Sequence, residues 1–270
     1  MKYKLFMSDF DGTLKCPTAD AVSKKNLQAI ARYRAAGGTF VVCTGRMLSS
    51  ILPVLRGLGI SEGLVSAYQG ATIADIATGK LLKDGAFEFD DALKTVRLFE
   101  SLNQHVHVYT VDALYCNRDD EWLKGYEKVC GVKGTIRENL TCFIEETKLR
   151  VVKVLAIIDP ADGETLRQKL TGLLGEKHYV TFSSPFMLEV TPACNTKGTA
   201  VKFLSDYYGV DFSEIAAIGD QLNDLPMLEV AGGKYTVADG DDRLKGFARV
   251  MPRCDEDAVA AAIEEILADK

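Results

Sequence analysis

Leu5-Phe6-Met7-Ser8-Asp9-Phe10-Asp11-Gly12-Thr13 is an apolar run that ends in two carboxylates two residues apart, followed by a glycine. Carboxylates at the end of a buried strand are costly to desolvate without a compensating charge, and a divalent cation is the natural compensation. Gly12 and Thr13 let the chain turn sharply out of a sheet. The stretch reads as a site built at the carboxyl end of a strand, where open α/β sheets bind ligands. Taken alone, it reads also as a solvated acidic turn.

Outward from this stretch, strand and helix patterns alternate. A helical pattern from Ser23 to Ala36 stops at Gly37-Gly38. Thr39-Phe40-Val41-Val42-Cys43 is a continuous β-branched and apolar run, the mark of a strand buried on both faces. A helix over 49–57 and a strand over 63–67 follow. This βαβαβ order predicts a parallel sheet with right-handed crossovers. A hairpin over 72–82 then introduces a mixed α+β stretch, and alternation returns at Lys197. The expected fold is α/β: a Rossmann-like, doubly wound parallel core formed by residues 1–83 and 187–270, with an α+β cap inserted at 84–186.

Composition narrows the function. The chain has 270 residues, 47% of them hydrophobic, enough for a substantial core. Its formal net charge of −6 disfavours general nucleic-acid binding, which needs clustered basic surface. No apolar stretch is long enough to cross a bilayer. Met1-Lys2-Tyr3-Lys4 leads into a strand and not into a signal peptide. Seven cysteines, at 16, 43, 116, 130, 142, 194 and 254, are scattered without a CxxC. That predicts reduced thiols in a cytoplasm and neither a disulfide frame nor a zinc site.

Three further segments suit phosphate chemistry. Thr44-Gly45-Arg46 follows the second strand directly, and a hydroxyl with free turn amides suits a phosphate oxygen; alone, it is equally an ordinary strand-to-helix turn. Lys197 opens a helix, the wrong end for a cation in the helix dipole, and a bound anion would relieve that conflict; a solvated lysine is the other reading. Asp220 ends the apolar run Ile215–Gly219, and Asn223 and Asp224 add an amide and an acid. Together these complete an oxygen-only Mg²⁺ shell, though Asp224 alone also reads as a helix cap. In a parallel sheet all of these groups fall on one carboxyl edge.

Asp9-Phe10-Asp11-Gly12-Thr13-Leu14, Thr44-Gly45-Arg46, Asn195-Thr196-Lys197-Gly198 and Gly219-Asp220-Gln221-Leu222-Asn223-Asp224-Leu225-Pro226-Met227-Leu228 together resemble the haloacid dehalogenase-like phosphohydrolases of the Cof type. The resemblance covers the whole chain, the inserted cap included. It implies that Asp9 is a nucleophile forming an aspartyl-phosphate, and that Asp11 protonates the leaving oxygen and then activates water. Thr44 and Lys197 would hold phosphoryl oxygens, with Gly45, Arg46, Gln69 and Asn223 near the phosphate. Asp9, Asp220 and the Asp11 backbone carbonyl would bind Mg²⁺, with Asp224 in support. The implied protein is a cytoplasmic Mg²⁺-dependent phosphatase of small phosphorylated metabolites, such as sugar phosphates or phosphorylated cofactors. It would have no nucleic-acid or membrane partner. A phosphomutase using the same intermediate and a phosphoacceptor signalling domain are the alternatives.

Two positions depart from the family pattern. Gln69 stands where asparagine is common before Gly70, and the 239–242 loop lacks the usual Asn-Ala ending, which gives it a structural or gating part. In the cap, His105 and His107 alternate with valines on a strand. They read as surface or packed histidines and not metal ligands, because no acid or cysteine partners them at ligand spacing.

Overall fold

The computed structural model of the chain describes residues 2–268. Met1, expected to lead into the first strand, and Asp269 and Lys270, expected at the end of the core, lie outside the described residues. The strands are β1 (Leu5–Ser8), β2 (Thr39–Cys43), β3 (Leu64–Ala67), β4 (Thr72–Asp75), β5 (Leu81–Asp84), β6 (His105–Tyr109), β7 (Leu114–Cys116), β8 (Gly134–Ile136), β9 (Lys153–Ile157), β10 (His178–Ser184), β11 (Met187–Pro192), β12 (Ile215–Gly219), β13 (Gly233–Val237) and β14 (Arg249–Met251). They form two sheets.

The first sheet has the order β14-β13-β12-β1-β2-β3-β4-β5. It is parallel from β14 to β3, and the hairpin β4–β5 adds two antiparallel strands. Every residue of β1 is buried, because helices cover both faces. Phe6, Phe40, Val42 and Ile218 pack on one side with the helices Lys24–Ala35 and Ala258–Ala268. Leu5, Met7, Val41 and Ala217 pack on the other with Lys197–Tyr208 and Leu225–Val230. Alternate residues of one strand thus feed two cores, which is why the strand sequences are continuously apolar. Each large side chain buried this way contributes about 1.5–3 kcal/mol. This is the doubly wound core expected from the alternation.

The second sheet has the order β10-β11-β9-β6-β7-β8. Its Val106, Val108, Val154, Ala156 and Val190 pack under the cap helices Phe89–Ser101, Leu140–Thr147 and Gly163–Leu174. Tyr109, Leu155 and Met187, from the opposite face, join the cluster that includes Phe10 and Tyr68 of the first unit. The cap therefore has a core of its own and a second face turned to the parallel sheet. The expected junction at 186/187 does not coincide with the sheet boundary. β11, expected in the core segment, pairs antiparallel with both β10 and β9. Among the described residues, no helix is long and apolar enough to cross a membrane.

Candidate active site

Register brings the acids together. β1 and β12 are parallel neighbours with Ser8 opposite Ile218, and the Asp9 amide donates to the Ile218 carbonyl at 3.0 Å. Asp9 and Asp220 therefore leave the sheet side by side. Gly12 then has φ +89°, and a Cβ there would lie 2.4 Å from Asp220 Oδ2, so the turn needs glycine for both conformation and space. Thr13, read from sequence only as a turn residue, donates to Asp220 Oδ1 at 2.8 Å and is fully buried.

Lys197 has no solvent exposure. Its Nζ donates to Asp9 Oδ1 at 2.5 Å and to Asp224 Oδ1 at 2.6 Å. Asp224 Oδ2 accepts from the amides of Asp220 and Gln221 at 2.9 and 3.1 Å, which fixes the loop after β12. Asp224 thus positions both the lysine and the backbone beside Asp220. The 239–242 loop supports the same turn, since the Asp241 amide donates to the Asp220 carbonyl at 2.8 Å.

Ligand oxygens of Asp9, Asp220 and Asp224 lie within 4.8 Å of one another, all buried. Burial raises the Asp9 pKa well above the ordinary carboxylate range; Lys197 offsets part of this, and Asp224 and Asp220 add to it. Burial also pushes Asp220 up to about 7, with the Asp224 charge adding to it. Burial opposes the charge on Lys197, but Asp224 and Asp9 overcome it and hold its pKa above the usual lysine range. Fully ionised, the three carboxylates outnumber the one ammonium and leave a formal charge of −2, which is the charge that burial resists. An oxygen-only cluster with that charge suits a hard divalent cation such as Mg²⁺. Asp11 is not in this trio, and its side chain is 45% exposed.

The other expected residues divide. Thr44 is buried directly after β2, and its Oγ1 accepts from the Arg46 amide at 3.1 Å, leaving its own proton to give. Arg46, expected near phosphate, holds Asp11 in a fork: Nε to Oδ2 and a terminal nitrogen to Oδ1, both at 2.6 Å. Its guanidinium also lies 4.9 Å from the Phe10 ring centroid. Gly45 presents its carbonyl to Lys153 Nζ at 2.8 Å. Gln69, at φ 60°, donates to Glu189 Oε2 at 2.6 Å and accepts from Asn223 Nδ2 at 3.0 Å. Gly45, Gln69 and Asn223 thus join core to cap.

The cap's contribution was missed in the sequence. Lys153 and Glu189 form an ion pair at 3.0 Å, with side chains 2% and 3% exposed. One lies on β9 and the other on β11, with β9 and β11 neighbours in the cap sheet. Only strand pairing brings the two charges together, so neither position stands out locally. His105 and His107 are packed, as expected, but the reason given for excluding them as ligands needs correction. Both are buried, His105 Nδ1 lies 2.8 Å from Asp120 Oδ2, and Cys116 Sγ lies 3.1 Å from His105 Nε2. An acid and a cysteine do partner them, through the fold and not through spacing.

A family model for haloacid dehalogenase-like hydrolases matches residues 6–263. The chain is 31% identical to YxeH of Bacillus subtilis, over 99% of this chain and 100% of that protein. It is 29% identical to the 5-amino-6-(5-phospho-D-ribitylamino)uracil phosphatase YwtE of the same organism, over 98% of each. Among solved structures, TM0651 from Thermotoga maritima superposes with a TM-score of 0.79 at 27% identity, covering 97% of each chain.

Proposed function

The chain belongs to the haloacid dehalogenase-like hydrolases, and from that premise we propose that it is a Mg²⁺-dependent phosphatase of small phosphorylated metabolites. The observation that carries this is Lys197, buried between Asp9 and Asp224 with Asp220 beside them. YwtE bears the name of a phosphatase of a phosphorylated ribityl compound, which supports a small polar phosphomonoester as substrate. The net charge of −6 favours a small molecule over nucleic acid, and the reading places the enzyme in the cytoplasm. The division we adopt has residues 85–192 as the cap.

Mg²⁺, held by Asp9, Asp220 and the Asp11 carbonyl with Asp224 behind them, would neutralise charge on the phosphoryl oxygens. Lys197 holds one Asp9 oxygen and thereby aims the other. That oxygen bonds to phosphorus as the ester P–O bond breaks, and the electron pair leaves with the alcohol oxygen. Asp11 gives that oxygen its proton, then takes one from the water that releases phosphate and frees Asp9. The Arg46 fork occupies both Asp11 oxygens, so it must open as substrate arrives. Thr44 donates to a phosphoryl oxygen, and the cap's Lys153–Glu189 pair ties the cap to Gly45 and Gln69 of the core.

The test is phosphate release from a panel of sugar phosphates and phosphorylated cofactors, with Mg²⁺ and with chelator. We expect turnover of some panel members only with Mg²⁺, and poor replacement by Ca²⁺, whose looser coordination misplaces the reacting groups. Full activity in chelator would remove the metal from the reading. A stable phosphoprotein without phosphate release would favour signalling.

A further inference from the structure

The cap holds a second buried cluster that the phosphatase reading does not use. β6 and β7 pair antiparallel with His107 opposite Cys116. His105 lies two residues along β6 and so on the same face. The two Nε2 atoms are 3.0 Å apart, Cys116 Sγ is 3.1 Å from His105 Nε2, and one ligand atom from each residue lies within 4.8 Å of the others. We propose that His105 Nε2, His107 Nε2 and Cys116 Sγ form a binding site for one borderline-soft divalent transition ion, with Zn²⁺ the fitting occupant.

Donor chemistry selects the metal. Two imidazoles and a thiolate suit zinc and are poor ligands for Mg²⁺, which prefers oxygen. The outer contacts are those that ligating histidines use. Asp120 accepts from His105 Nδ1 at 2.8 Å, which leaves the lone pair of that ring on Nε2. His107 Nδ1 lies 3.1 Å from the Tyr109 hydroxyl, which can accept its proton. Around tetrahedral zinc the ligand atoms stand about 3.3–3.7 Å apart, so the two contacts to His105 Nε2, at 3.0 and 3.1 Å, need to widen by only a few tenths of an ångström. Asp120 has a side chain 36% exposed and gives a route in from solvent. The Cys116 thiol donates to the Arg118 carbonyl at 3.2 Å, a bond it gives up when it ionises to bind the metal.

The balance of charge and protons is simple. Cys116 loses one proton on binding, and the His107 proton moves from Nε2 to Nδ1 without release. Zinc's two positive charges are then matched by the Cys116 thiolate and the Asp120 carboxylate. The ion would fasten β6, β7 and the helix Glu121–Cys130, whose N-cap is Asp120. That helix carries Tyr126 and Cys130 into the shared core–cap cluster.

The experiment titrates the metal-stripped full chain with Co²⁺ in saturating Mg²⁺, which keeps the oxygen-only cluster occupied. We expect one equivalent of Co²⁺ to produce a near-ultraviolet thiolate-to-cobalt band, bleached by Zn²⁺. Zn²⁺ should raise the Tm by about 5–10 °C and release one proton, read by calorimetry in two buffers. C116S should lose the band, and D120N should keep it with affinity lowered about 10–100-fold. If C116S folds poorly, His107→Gln reads the same loss. No thiolate band in the wild-type protein, or an undiminished one in folded C116S, would overturn the site.

Discussion

Two buried trios of ligating side chains, one in the parallel core and one in the cap, satisfy themselves in different ways. Asp9, Asp220 and Asp224 are like charges from separate segments, and Lys197 answers only part of that charge. His105, His107 and Cys116 come from one antiparallel hairpin and hydrogen-bond to one another, with Asp120 behind them. Burial acts on the two trios in opposite directions: it pushes Asp220 up to about 7 and, with His105 adding to it, holds His107 down at about 3. A charged cluster needs an outside cation to be at rest, whereas a neutral one closes on itself. In the reading proposed above, the first is the place where an anionic substrate and its metal do work, and the second a fastening.

The largest effect is expected at Asp9. Asp9→Asn keeps the shape and removes both the attacking oxygen and one of three crowded charges. Turnover of an aryl phosphate should fall at least about 10⁴-fold, with no loss of urea stability in the metal-free protein. Retained turnover would show that the reacting oxygen lies elsewhere.

Stability against pH sharpens the contrast next. A carboxyl raised in the folded state binds more protons folded than unfolded, so Asp220 should lower stability as pH rises from about 4 to about 7. An imidazole depressed in the folded state does the reverse: the contribution of His107 is complete above pH ~6.5 and is lost as pH falls toward 3. Each is worth about 4–5 kcal/mol at most. Urea titrations of metal-stripped protein should show Asp220→Asn flattening the decline toward neutral pH, and His107→Gln flattening the acid side. Variant profiles parallel to the wild type would erase the contrast. Mg²⁺ should lift the neutral side selectively.

The smallest effect is expected where the two regions meet. Glu189→Gln keeps an acceptor for Lys153 but sets an amide donor against Gln69. Stability should drop by about 1–3 kcal/mol, and KM for the best metabolite should change more than kcat for an aryl phosphate. Equal changes in both would place Glu189 in the chemistry and not at the cap contact.

Much of the core was legible locally. Leu5–Ser8 and Thr39–Cys43 are buried on both faces and are read directly from unbroken apolar runs, and the helix Lys197–Tyr208 has a Thr196 cap and a Gly209 stop. The cap was harder. β8 is three residues paired, among the described residues, only with β7, and the helix Leu140–Thr147 is short and mixes threonine and isoleucine with acids, so neither gives a clear period. β11 reads as a strand, but nothing in Met187–Pro192 says which sheet it joins.

The sequence by itself determined that acids, a hydroxyl and a lysine end up on one edge, because successive parallel strands must present their carboxyl ends together. Only the tertiary structure decided that Arg46 holds Asp11 and that Gln69 and Asn223 reach toward Glu189. It alone set two histidines against a cysteine across a hairpin. The reason is physical. Position along a strand follows from local burial, but a side chain's partner depends on register and on which strands pair, and those are fixed only when distant segments share a core.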